Sequence, residues 1–251
     1  MVIVIMGVVG AMVAVFMRQP IDAYFDTLRR AALSDVADTA VRRMGRDIRT
    51  ALPNSLRQVD NQCIEFIPTK FGGRYRAEPD ALGAGDILNF EAADTSFDML
   101  GPNSPLADQA IAAGDRIAVY NLGIPGADAY AGNNTAVVTA VGVGTLTNET
   151  KINFAARLFP LDSPNHRFHV IPGTEPIASY VCTGGNLFRH ANYAGSCPAA
   201  GGNLLATGVT CNFDITAAGL QRNATLRIAL TVARDGEVVN LYHEINVNNT
   251  P

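Results

Sequence analysis

The chain has 251 residues, 48% of them hydrophobic and 17% charged, which is enough apolar material for a sizeable core and excludes intrinsic disorder. Its net charge of −4 is unevenly placed: residues 1–57 hold eight Arg against five Asp, while 58–251 hold eleven Lys or Arg against eighteen Asp or Glu. No basic block with interleaved aromatics occurs in the acidic part, so nucleic acid is not an expected partner.

The first element is an uncharged run from Met1 to Met17, ended by Arg18. A secretory signal would place basic residues before such a run and small residues after it. Here nothing precedes it, and bulky Val15, Phe16 and Met17 close it. As a helix, seventeen residues cover about 25 Å, a little short of the ~30 Å hydrocarbon core of a bilayer. Gly7, Gly10 and the many Val residues are poor helix formers in water but acceptable in lipid. Residues 1–20 are therefore expected to form the transmembrane or filament-core half of a helix. Gly7, Gly10, Ala11 and Ala14 are small enough to let a neighbouring helix approach closely.

After Pro20 the pattern becomes amphipathic. Ile21, Tyr24, Phe25, Leu28, Ala32, Val36, Ala40, Met44, Ile48 and Leu52 recur at steps of three and four. Asp26 with Arg30 and Asp38 with Arg42 are expected i, i+4 surface ion pairs. Pro20 removes one backbone donor and should kink the rod without ending it, whereas Pro53 ends it. The expected helix is about fifty residues and about 75 Å long. Residues 21–56 form its amphipathic half and residues 57–251 a β-rich globular head.

Within the head, Gln62 to Pro68, Asp86 to Phe90 and Arg116 to Asn121 read as strands. Gly72 with Gly73 and the stretch from Met99 to Gly114 read as surface loops. Ala136 to Val143 and Lys151 to Phe154 bracket a turn. Ile177 to Cys182, Leu187 to His190 and Gly208 to Ile215 look like a meander, and Leu226 to Ala233 with Glu237 to Val247 form a hairpin across Asp235 and Gly236. The expected fold class is α+β, a long N-terminal helix whose C-terminal half packs on an antiparallel sheet while its N-terminal half protrudes.

Cys63, Cys182, Cys197 and Cys211 are an even count with wide spacing, which favours disulfides in an oxidising compartment over a zinc site. Four cysteines allow three pairings. Cys182, just before a hairpin turn, and Cys211, in a strand downstream, are the first pair expected. The chain contains no nucleophile elbow, phosphate-binding loop, zinc-protease or calcium-loop motif. His166 and His169 would face opposite sides of a strand, His243 lies within an apolar face, and the loop acids Asp80, Asp86, Asp94 and Asp98 read as solvated surface. No enzyme, cofactor or metal is expected.

The stretch VIVIMGVVGA running into an amphipathic helix and then a β head resembles the type IV pilin and pseudopilin superfamily. More narrowly, AALSDVADTAVRRMGRDIRTALPNSLR (31–57), FIPTKFGGRYRAE (66–78) and the closing INVNNTP (245–251) resemble the MshO-type minor pilins of mannose-sensitive haemagglutinin pili. The resemblance implies a non-enzymatic minor pilin that takes part in priming or tip assembly of a type IV pilus. Its implied partners are other pilins, inner-membrane assembly machinery and the inner membrane itself, with a single-pass anchor and a periplasmic head. The family's basic leader and its first mature residues, which include a glutamate, are not in this sequence, and the reading expects them upstream of Met1. Two other readings share the same residues. One is a minor pseudopilin of a type II secretion system; the other is an anchored periplasmic binding protein or adhesin using the loops at 99–114 and 123–134.

Overall fold

The computed structural model describes residues 2–216, 224–247 and 249–250, with the side chains at 14, 15, 18 and 19 left aside. Helix α1 (Val2–Arg49) holds Pro20 in its interior. Its inward stripe is Leu33, Ala37, Ala40, Val41, Met44 and Ile48, a three- and four-residue spacing that keeps one face turned to the core. Ala32, placed on that stripe by the sequence pattern, is exposed, and Val36 is half-buried. The helix stops where Thr50 turns its hydroxyl back on the carbonyl oxygens of Arg46 and Asp47. From there Leu52 N donates to Ile67 O at 2.8 Å, and Pro53 cannot supply a further helical donor.

Fourteen strands follow among the described residues, all paired antiparallel: β1 (Arg57–Asp60), β2 (Cys63–Phe66), β3 (Phe71–Arg74), β4 (Asp94–Met99), β5 (Arg116–Val119), β6 (Thr135–Val143), β7 (Thr150–Arg157), β8 (Arg167–Ile171), β9 (Ala178–Thr183), β10 (Asn186–Ala191), β11 (Asn203–Thr207), β12 (Val209–Thr216), β13 (Ala224–Arg234) and β14 (Glu237–Val247). They form three sheets, ordered β1-β2-β9-β10-β11, β12-β13-β14 and β3-β8-β5-β6-β7-β4. This overturns the expectation of an α+β molecule built as a long helix on one antiparallel sheet. The chain is predominantly β, its strands are divided among three sheets, and only the last third of α1 enters a core. The physical reason is that alternation of side chains marks a strand without saying which sheet it joins.

Two cores result. In the first, the inward stripe of α1 meets Ile64 and Phe66 of β2, Tyr180 of β9, Leu187 of β10, Phe213 of β12, Leu226, Ile228, Leu230 and Val232 of β13, and Ile245 of β14. Gly45 lets Ile245 Cδ1 come within 3.6 Å of where a Cβ would stand. The second core lies on the six-stranded sheet and is aromatic: Phe97 contacts Tyr75, Phe154 and Phe168 at ring distances of 5.2 to 6.3 Å, edge-on or tilted as ring quadrupoles prefer. A seam of Leu52, Ile67, Ala118 and Ile171 lies apart from both.

Two local expectations also change. Asp86 to Phe90 is irregular and not a strand, its backbone being held by Leu88 N to Arg76 O at 3.0 Å and by Asp86 N to Asp98 Oδ2 at 2.9 Å. Gly72 and Gly73, read as a loop, lie inside β3. The β13–β14 hairpin turns through Asp235 (φ 51°) and Gly236 (φ 82°), two consecutive positive φ values that suit an Asp-Gly type I′ turn.

Candidate functional site

The feature that sets this molecule apart is the half of α1 that its own head does not cover. Ile3 is 87% exposed, Met6 73% and Phe16 81%, and Ile21, Tyr24, Phe25 and Leu28 are exposed as well. From Val2 to Val13 every residue is exposed, all round the helix, because this stretch offers no polar face to turn outward. Soluble monomers rarely present so much contiguous apolar surface, and each such side chain taken out of water contributes about 1.5–3 kcal/mol. Gly7 and Gly10 have nothing within 4 Å of a built Cβ, and Ala11 is exposed; their flank of the helix is open to a neighbour. The side chain of Ala14 lies outside the described residues.

Single-pass anchoring in an inner membrane is not supported, which corrects the expectation drawn from the apolar run. Among the described residues no helix is long and apolar enough to cross a membrane.

The lower half of α1 is fixed to the head by polar contacts. Arg189 Nε donates to Asp47 Oδ2 at 2.7 Å, and Tyr180 Oη donates to the same oxygen at 2.8 Å; Arg189 also pairs with Glu175. Burial works against the Arg189 charge, but hydrogen bonds to Asp47 and Glu175 outweigh it and raise its pKa. Burial, reinforced by the Asp47 charge, pushes the Tyr180 hydroxyl up. Of the two ion pairs expected on the helix, Asp38 and Arg42 meet at 2.6 Å, whereas Asp26 and Arg30 part company. Arg30 reaches Glu237 of β14 at 2.6 Å, and Asp26 pairs with Arg29 at 3.4 Å. A partner brought near by the fold replaces the one four residues away.

The cysteines form two bridges, Cys182–Cys211 and Cys63–Cys197. The first links β9 to β12 and so joins two sheets of the first core. The second sits beside Glu65, whose carboxylate is fully buried and accepts from Arg57 at 2.7 Å, Tyr193 Oη at 2.8 Å and Cys197 N at 2.9 Å. Arg57 in turn lies 3.7 Å from the centre of the Tyr130 ring. Only Glu65, an acid at an otherwise apolar strand position, hints at this cluster in the sequence.

His166 precedes β8 in a positive-φ turn, and His169 lies within the strand; they do not converge. Among the described residues no group of three or more His, Cys, Asp or Glu is placed to hold a metal ion. His243, read as a core or cross-strand residue rather than a catalytic base, is exposed and stands opposite Ile228 in the β13–β14 register. No family model, curated protein or solved structure matches this chain.

Proposed function

We propose that this chain is a non-enzymatic subunit of the type IV pilin class, akin to the MshO-type minor pilins, that acts in assembling a filament by packing its apolar helix half against the same half of sibling subunits. The observation that carries the reading is the bare apolar surface of Val2–Val13, Phe16 and Met17, carried on by exposed Ile21, Tyr24, Phe25 and Leu28, on a helix whose last turns are bolted to a β head. Burying that stretch among like helices removes its surface from water without needing any polar face. Gly7 and Gly10, with open space beside them, set the closest approach between helices. The partners are other pilin-class subunits and the machinery that inserts them, and the energy for insertion comes from elsewhere, because the sequence holds no phosphate-binding loop.

The test is Gly10→Asp in cells that build the filament. A buried carboxylate without a partner is costly among apolar helices, so filaments should be lost while the purified variant keeps both disulfides and the far-ultraviolet circular dichroism of the parent. Normal filaments in the variant would overturn the proposal. So would a full-length protein that stays monomeric without detergent and has residues 2–28 folded against its own head.

A further inference from the structure

Strand β14 is the outer strand of its sheet, and among the described residues no backbone hydrogen bond reaches its far edge. Its register with β13 runs from Arg234↔Glu237 to Ala224↔Val247 across a two-residue turn. In that arrangement Glu237, Val239, Leu241, His243 and Ile245 direct their amide and carbonyl groups to β13. Val238, Asn240, Tyr242, Glu244 and Asn246 direct theirs outward. An edge of 11 residues without proline, and with no backbone partner among the described residues, is a template for one more strand.

Charge says which kind. Beside β14 a groove of about 770 Å³ runs under α1, lined by Val41, Arg42, Gly45, Arg46, Arg49 and His243 among others. Asp47 holds the opposite flank of the helix to β10 through Arg189, so the three arginines hang over the open-edge side. Arg42 is engaged by Asp38, but Arg46 and Arg49 are exposed and make no ion pair among the described residues. A second copy adding its own β14 would bring its own arginines to the same seam, and like charges there repel.

We infer that the β14 edge and the arginine groove together form a docking site for an extended segment of a different protein chain, one bearing carboxylates at every second position. Its backbone pairs with the outward amides and carbonyls of β14. Its alternate side chains, which share one face, turn toward α1, where Glu or Asp meets the guanidinium groups of Arg46 and Arg49. This is strand addition, in which the main chain gives affinity and the alternating side chains give selectivity. The inference uses none of residues 2–28 and stands or falls apart from the filament proposal.

The full chain in nonionic detergent is titrated into a fluorescein-labelled nine-residue peptide alternating Glu with Val or Thr, and anisotropy is read. Saturable binding is expected, weakened at least tenfold by Arg46→Gln/Arg49→Gln, and lost when the peptide's edge-facing amides are N-methylated. The double variant changes two exposed side chains, and its circular dichroism is compared with the parent so that a folding defect is seen as such. Absence of binding, equal binding of a Lys-for-Glu peptide, or an unchanged affinity in the folded variant would each overturn the inference. A full-chain dimer that protects the β14 amides from hydrogen exchange would overturn it too, by giving the edge to a second copy.

Discussion

Asp47, in the last turn of α1, and Arg189, at the centre of β10, are 142 residues apart in sequence and 2.7 Å apart in space. Their side chains are 22% and 12% exposed, so little water is available to replace a lost partner. Asp47→Ala leaves Arg189 with Glu175 alone and strips Tyr180 of its acceptor. Removing one member of a largely buried pair costs about 3–5 kcal/mol when burial is complete, and residual exposure brings the expected loss to about 2–4 kcal/mol. Urea unfolding of the variant against the parent measures it. An unchanged midpoint would mean that apolar packing alone seats the helix.

Gly45 is a weak point of the same helix. A Cβ there would stand 3.6 Å from Ile245 Cδ1, ordinary contact, and alanine is about 1 kcal/mol better than glycine inside a helix. Gly45→Ala is expected to stabilise the protein by about 0.5–1 kcal/mol, whereas Gly45→Leu, whose branches would press into Ile245, is expected to destabilise it. Thermal midpoints of the two variants test the pair of signs.

The two disulfides span 134 and 29 residues. Loop-closure entropy assigns about 5 kcal/mol to the longer and about 3.5 kcal/mol to the shorter. Cys63→Ser/Cys197→Ser should therefore destabilise more than Cys182→Ser/Cys211→Ser in denaturant titrations. The reverse order would place the weight on the sheet-to-sheet link inside the first core.

Burial, with a lesser push from Arg167, lowers the His169 pKa to about 4, and burial also lowers that of His190. A histidine kept neutral in the fold binds fewer protons than its unfolded counterpart between about pH 4 and its unfolded pKa of about 6.5. Stability is therefore fully present above about 6.5 and is lost as pH falls through that window. Melting curves taken from pH 7 to pH 4 should show the decline, and His169→Gln should flatten it. A variant with the parent's slope would remove His169 as its source.

Several elements could be read from sequence because their causes are local. The β13–β14 hairpin follows from Asp235 and Gly236, and the apolar half of α1 from an uninterrupted composition. What escaped depended on distant chain. Gly73 sits in β3 because its missing side chain makes room for the Phe168 ring, whose Cε1 would be 2.8 Å from a Cβ; locally the same glycine pair signals a loop. Arg30 has Asp26 at helical spacing, yet Glu237 is carried to it by a hairpin 207 residues along the chain. The groove at Arg46 and Arg49 was hidden for the same reason, since its second wall is β14.

The narrow seam of Leu52, Ile67, Ala118 and Ile171 gives the molecule a mechanical asymmetry. A pull along α1 passes through Asp47 and Arg189 into the five- and three-stranded sheets, which Cys182 and Cys211 rivet together. The six-stranded sheet lies off that path and is tied to it just past the end of α1, where Asn121 Nδ2 donates to Pro53 O at 2.7 Å and Tyr130 Oη to Ser55 O at 2.9 Å.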